Sequence, residues 1–475
     1  MTGHEQKSGI VRTLIDNSFL LIAGAIAALI WANMASPLPT ESSDPSAPPE
    51  TSYTRFVDFD LTSLWSAHED DHSGEDTQPA TSPNATEAPN ATEAPNATEA
   101  PNANEETDAT EEAEEEEHGG HHGLTIHFVI NDILMALFFA IAAKEVWESL
   151  LPGGALSNPR KAATPLLATV GGIAGPALVY IIGCYFTGTQ DVFGKGWAVP
   201  CATDIAFSYL IARMIFGVGH PAIAFLLLLA IADDAAGLMI LAVFYPQAPL
   251  QYYWFLLTAG AMALAFFLRT AKVHSHWVYL LGPGILCWYS FYQANIHAAL
   301  GLVPIIPFLP HAHTDLGMFA KAEKNREDTL NEFEHFWKTP VEFFLGLFGL
   351  ANAGVVMSSL GTGTWLVLGG LLIGKPLGIT AMTLFAEKGL KLQKPAGMDY
   401  RHVVTLGMVA GIGFTVALFV SVAAFTQAGA VQDSVKMGAL LSFAAAPLAI
   451  LIAKMLGVRP EPRVNVNAAA DTEAS

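Results

Sequence analysis

Charge is scarce in this sequence and unevenly spread. Only 14% of the 475 residues are Asp, Glu, Lys or Arg, against roughly a quarter in an ordinary soluble domain. The formal charge of −21 invites a search for acidic binding faces, but residues 36–125 hold 22 of the 44 acids and a single base, Arg55. The rest of the chain is balanced, so its acidity belongs to one insert. Cysteine is nearly absent. Cys184, Cys201 and Cys287 lie singly in apolar stretches, which excludes a disulfide framework or a cysteine metal site and reads as small core residues.

Apolar chain is abundant instead, at 52% of residues. A bilayer core about 30 Å thick takes roughly 20 helical residues to cross. Such stretches recur near 13–35, 125–150, 163–187, 197–216, 222–244, 252–268, 277–293, 296–309, 341–359, 364–386, 402–426 and 435–457. The expected fold class is an all-α membrane protein with about 12 transmembrane helices. The stretch at 296–309 is short for a span, so it is tilted, broken or buried in protein. With the N-terminus inside, 18 Lys and Arg fall on the inner side and three, Arg55, Lys195 and Lys436, on the outer. That asymmetry predicts cytoplasmic N- and C-termini. The run at 14–35 is longer than a signal-peptide core and reads as a first span.

The chain divides into 1–36, a cytoplasmic N-terminus and first span; 37–123, an acidic external loop; 124–457, a membrane transport domain; and 458–475, a cytoplasmic tail. Within the loop, Pro83-Asn84-Ala85-Thr86-Glu87-Ala88 repeats from Pro89 and Pro95. Such a segment has too little apolar surface to order itself. The sequons at Asn84, Asn90 and Asn96 recur because the repeat recurs, and His118, His121 and His122 read as part of a solvated tract. Tyr53–Phe59 alternates apolar and polar as a strand would, which suggests a small hairpin with Leu124–Phe128.

Charges at mid-bilayer cost at least about 2.5–3.5 kcal/mol, so each is a functional candidate. Asp233 and Asp234 sit together in an otherwise apolar run, 226–238. Adjacent helical residues point about 100° apart, so one carboxylate can face a cavity and the other a neighbouring helix. Two carboxylates this close disfavour being ionised together and titrate as a coupled unit. Their oxygens suit a hard cation such as Na⁺ as well as a proton, and that competition is what an exchanger needs. Pro200 interrupts the helix before Thr203 and Asp204, both candidate ion ligands. Gly407, Gly411 and Gly413, near Thr415, loosen a second helix, or serve close packing. Interrupted helices mark transporter binding sites. Lys375, in Gly374-Lys375-Pro376-Leu377-Gly378, is read as pairing with a buried acid, Asp233 first, as offsetting helix-dipole ends, or as a purely structural ion pair. Lys144 and Glu145 suit an entry funnel or an interfacial anchor. His274 and His276 are candidates for pH sensing, or members of an ordinary interfacial loop. His297 reads as a hydrogen-bonded core histidine, and Glu342 as a residue of the inner interface.

Ala202-Thr203-Asp204-Ile205-Ala206-Phe207, Ala230-Ile231-Ala232-Asp233-Asp234, Ala351-Asn352-Ala353-Gly354-Val355, Gly374-Lys375-Pro376-Leu377-Gly378 and Gly411-Ile412-Gly413-Phe414-Thr415, in that order, resemble the bacterial NhaA family of Na⁺/H⁺ antiporters. Ile130-Asn131-Asp132 with Glu145 downstream agrees, and the likeness covers roughly 9–36 and 124–457. The resemblance implies an inverted-repeat antiporter fold with two discontinuous helices crossing at mid-membrane, those bearing Thr203-Asp204 and Gly411-Ile412-Gly413. It implies electrogenic exchange of Na⁺ or Li⁺ for more protons, alternating access, activity rising at alkaline pH, and roles in sodium and pH homeostasis. Asp234 would be the main Na⁺ ligand and Asp233 a proton-exchanging partner of Lys375, while Asp204 and Lys375 would compensate helix ends. It implies a homodimer in the bacterial inner membrane, formed through an extracellular hairpin that the acidic repeats here replace. No cofactor and no nucleic-acid partner are expected. The rival readings are an intramembrane aspartyl protease using Asp204 and Asp234, which lacks the Gly-x-Gly-Asp signature and leaves Lys375 unexplained, a transporter of another solute, and a non-transporting sensor.

Overall fold

The structure is a computed structural model that describes residues 19–36, 51–63, 124–154, 156–311, 328–426 and 429–460. The repeats, sequons and histidines of the acidic loop lie outside the described residues, as does the C-terminal tail beyond 460. The chain divides into a main unit, Met1–Phe59 with Ile126–Ser475, and a small unit, Asp60–Thr125.

Among the described residues of the main unit the regular elements are helices. In chain order its helices are α1 (Phe19–Met34), α2 (Ser52–Val57), α3 (Ile126–Leu150), α4 (Pro159–Thr187), α5 (Ile205–Phe216), α6 (Pro221–Phe244), α7 (Phe255–Thr270), α8 (Ile285–Gln293), α9 (Thr329–Asn352), α10 (Thr362–Lys388), α11 (Tyr400–Ala410), α12 (Phe414–Ala424) and α13 (Ala430–Met455). Six of the helical stretches are long and apolar enough to cross a membrane, or eight if each of two bent pairs is one span. The bent pairs are Gln190–Cys201 with α5, at 54°, and α11 with α12, at 50°. Pro200 lies inside the 3₁₀ segment Gly194–Cys201 that precedes the first bend, and Gly411-Ile412-Gly413 forms the second. The short apolar stretch at 296–309 resolves into two 3₁₀ turns, Ala298–Leu300 and Val303–Phe308.

Tyr53–Phe59 is not a strand. Thr51 caps a short helix here: its side chain accepts from Thr54 N while Thr54 Oγ1 accepts from Thr51 N. This capping box satisfies first-turn donors locally and overrides the alternating pattern. Tyr53 is buried, and its hydroxyl donates to the α9 carbonyls of Leu350 and Ala351 and accepts from Gly354 N. In the small unit, Asp60 and Thr125 form a single antiparallel bridge. Asp60 accepts from Thr62 N and Oγ1, which holds its carboxyl below the usual range.

The seam between α4 and α10 fixes the frame around the site. A Cβ built on Gly171 would stand 2.1 Å from Gly378 O, and one on Gly378 would stand 2.0 Å from Gly171 O. The two backbones therefore touch, which in lipid replaces the missing hydrophobic drive with close packing. One helical turn along, α10 carries the π turn Gly370–Gly374, and Lys375 follows it directly. Gly378→Val is expected to cost about 3 kcal/mol or more through overpacking against a backbone that cannot yield. Thermal melting in detergent measures this, and a variant that melts with the unmodified protein would refute the close seam.

Candidate functional site

α6 is apolar on every side apart from its acidic pair, so neither carboxylate has a solvated face to turn to. The 100° between successive residues separates them. Asp233 is buried, and its Oδ2 accepts from Lys375 Nζ at 3.0 Å and from Thr203 Oγ1 at 2.8 Å. Lys375, itself fully buried, also donates to Cys201 O at the C-terminal end of the 3₁₀ segment. Asp234 points elsewhere. With Asp233 it borders a small cavity lined by Phe138, Phe139 and Ala142 of α3 and by Gly237, Leu238 and Leu241 of its own helix. Its Oδ1 has no hydrogen-bond partner among the described residues. A buried carboxylate oxygen without a donor is costly.

The two helix breaks meet beside this pair. Asp204 caps α5 by accepting from Phe207 N at 3.3 Å, and its other oxygen accepts from the hydroxyl and the N–H of Thr415, in the first turn of α12. One carboxylate thus serves the positive ends of two helices. Asp204 N donates to Ile412 O at 2.7 Å, and Ser208 Oγ donates to Val409 O at 3.1 Å. The first satisfies the carbonyl of Ile412 within the break, and the second adds to the bond that Ile412 N gives Val409 O at 3.2 Å. Sequence reasoning missed Ser208, although it stands one turn beyond Asp204 on the same face.

Asp233, Asp234, Thr203, Asp204 and Lys375 are therefore together, and the other candidates are not. Lys144 lies inside the protein. It is 1% exposed, paired with Glu148 one turn along α3 and with Glu334 of α9 at 2.5 Å. Glu145 adjoins this cluster and is within electrostatic reach of Asp234. The Lys144–Glu148 spacing was legible as an i,i+4 pair, whereas Glu334 carried no sequence signal. His274 is exposed, and its carbonyl accepts from Thr329 Oγ1. His276 is buried among Trp277, Phe333 and Phe336, 3.5 Å from Glu332, and borders a separate small apolar cavity. His297 packs on Phe419 with its Nδ1 3.3 Å from Asp132 Oδ1. Asn131 and Asn352 exchange side-chain amide hydrogen bonds, which joins two of the short sequence motifs 221 residues apart.

A sequence model of the Na⁺/H⁺ antiporter 1 family matches residues 102–453. The chain is 50% identical over 370 residues to the Na⁺/H⁺ antiporter NhaA of Jannaschia sp. (strain CCS1), covering 72% of this chain and 88% of that one. It is 52% identical over 338 residues to the Na⁺/H⁺ antiporter NhaA of Geotalea uraniireducens, covering 71% and 87%. It is 48% identical over 347 residues to that of Geobacter sulfurreducens, covering 72% and 89%. With its long apolar helices it is a multi-pass membrane protein, and it belongs to the Na⁺/H⁺ antiporter 1 family.

Proposed function

We propose that this protein exchanges cytoplasmic Na⁺ for external H⁺ across the bacterial inner membrane. One observation carries the reading: of two adjacent carboxylates, Asp233 is tied to Lys375 and Thr203, while Asp234 meets a cavity with an unpartnered oxygen. A hard cation prefers such oxygen ligands, and a proton competes for the same lone pairs. Asp234 is the main ligand for Na⁺ or Li⁺. Asp233 takes up and releases a proton as its bond to Lys375 breaks and forms. Two titrating carboxylates serving one monovalent cation let more protons than sodium ions move per cycle, so transport is electrogenic. Asp204 and Lys375 offset the opposed ends of the interrupted helices.

The finer architecture belongs to the same proposal. Twelve helices with inverted-repeat topology and two discontinuous crossing helices are supported by the bends of 54° and 50° and by the bonds between the breaks. Alternating access then exposes the same carboxylates to either side. The loop charges support cytoplasmic termini. The protein forms a homodimer. Glu145 serves as a funnel residue towards Asp234, and His274 and His276, set apart from the carboxylates, are the candidates for pH sensing.

Everted membrane vesicles with a pH-gradient dye test the exchange. Addition of Na⁺ or Li⁺ is expected to collapse the gradient, and K⁺ is not. A gradient indifferent to Na⁺ between acid and alkaline buffers would overturn the proposal.

A further inference from the structure

We propose that Lys144 is a positioning residue whose ammonium ties α3, one wall of the Asp234 cavity, to α9, so that this wall keeps its place against α9 and not against α6. The inference rests on the reading of Asp234 as the Na⁺ ligand. An ammonium has three N–H donors and no acceptor. Lys144 is 1% exposed, and its acceptors are Glu148 of its own helix and Glu334 and Asn331 of α9, the last at 3.4 Å. Hydrogen bonds between ionised partners are roughly twice as strong as neutral ones, and burial shields this group from the screening that weakens surface pairs. A lysine that needs only neutralising is satisfied by one carboxylate. Glu148, one turn along α3, already supplies it. The second carboxylate and the amide come from another helix, and they fix a direction as well as a charge.

α3 is fastened to α9 a second time near its outer end. There Asn131 and Asn352, both buried, exchange side-chain amide hydrogen bonds at 3.1 and 2.8 Å. From residue 131 to residue 144 the helix runs about 20 Å, and Phe138, Phe139 and Ala142, which line the cavity, lie between the two fastenings. α9 is itself seated on α1, where a Cβ built on Gly24 would stand 2.1 Å from Gly346 O. α6 is bonded in the other direction: Asp233 accepts from Lys375 and Thr203, and Leu229 O accepts from Thr169 of α4 at 3.3 Å. The cavity therefore has one wall that belongs with α9 and another that belongs with α4 and α10. The two phenylalanines and the alanine have no side-chain polar group with which to hold α6. The spacing across Asp234 is set from behind, by Lys144 at one end and the asparagine pair at the other.

Glu334→Met cuts the tie to α9 and leaves Lys144 neutralised by Glu148. Glu148→Gln removes the same charge from the same cluster but spares the tie. Spin labels at Leu150→Cys on α3 and His335→Cys on α9, both exposed positions, report the spacing, since the three native cysteines are buried. Pulsed electron paramagnetic resonance in detergent is expected to give one narrow distance distribution in the labelled parent and in Glu148→Gln, and a broadened one in Glu334→Met. In everted vesicles the half-saturating Na⁺ concentration is expected to rise about tenfold in Glu334→Met, as it would with the wall correctly placed in only about a tenth of the molecules, and to stay within about twofold in Glu148→Gln. An unbroadened distribution in Glu334→Met would refute the tie. Equal rises in the two variants would refute it too, because the cluster would then act through its charge alone. Should Glu334→Met fail to fold, Lys144→Met combined with Glu148→Gln and Glu334→Met carries the same expectations with no charge left stranded. If Na⁺ fails to collapse the gradient in the unmodified protein, the antiport reading falls and the distances alone decide for Lys144.

Discussion

Asp234→Asn is expected to abolish sodium-driven collapse of the pH gradient while leaving the protein folded and more heat-stable than before. A carboxylate and a monovalent cation about 4 Å apart attract by about 4 kcal/mol at an effective dielectric of about 20, and losing that term weakens binding about a thousandfold. The stability gain has a separate cause. Asp234 is buried in an apolar helix with Oδ1 undonated among the described residues, and a neutral amide in its place removes the cost of burying a charge there. Function and stability should therefore move in opposite directions, as they do where a site is kept primed for a ligand. Two measurements decide it, dye recovery against Na⁺ concentration and melting in detergent. Full antiport in Asp234→Asn would refute the assignment, and a lowered melting temperature would show that the carboxylate is structural.

Lys375→Met is expected to be among the most damaging single changes to the fold. It strands Asp233 with one donor, Thr203, and leaves Cys201 O without its lysine. Breaking one side of a buried pair typically costs about 3–5 kcal/mol. Asp233→Asn combined with Lys375→Met is expected to recover most of that loss, because the stranded charge is gone and a methionine stem fills the lysine's volume. The loss in the single variant should be larger in alkaline than in acid buffer, since a neutral Asp233 tolerates burial and an ionised one does not. Melting temperatures of the three variants across pH measure the coupling. Additive losses in the double variant would mean that Lys375 acts chiefly on Cys201 O.

Much of this arrangement was legible because membranes punish ambiguity. A carboxylate pair inside Leu226–Leu238 has no packing rationale, Pro200 cannot continue a regular helix, and Gly411 and Gly413 flank one residue at a break. Those three signals located the site. The contacts within it were less visible. That Thr203 reaches both Asp233 and Ala410 depends on how two distant breaks face each other, and nothing local in 200–208 encodes the register. The pairing of Lys144 was hidden for the same reason, since its partner Glu334 lies 190 residues away. The helix at Ser52–Val57 was missed on different grounds. There the period of two was real, but two threonines three residues apart offered the backbone a nearer set of partners.

The bonds between the breaks bear on the mechanics of the molecule. Asp204 holds the start of α5 and the start of α12 with one side chain, its N–H holds Ile412 O, and Ser208 holds Val409 O. The bonds of the Asp204 carboxylate to Thr415, of Asp204 N to Ile412 O and of Ser208 to Val409 O leave the two short segments almost no independent compliance. A broken helix is commonly pictured as a joint, but this pair of breaks behaves as a weld, stiff in bending and shear. Any cyclic displacement has to be taken up at softer boundaries, such as the face that α6 turns towards α3 across the Asp234 cavity. Cutting one attachment, as Ser208→Ala would, adds slack where the machine is built to be rigid, and the motion delivered to the carboxylates shrinks accordingly.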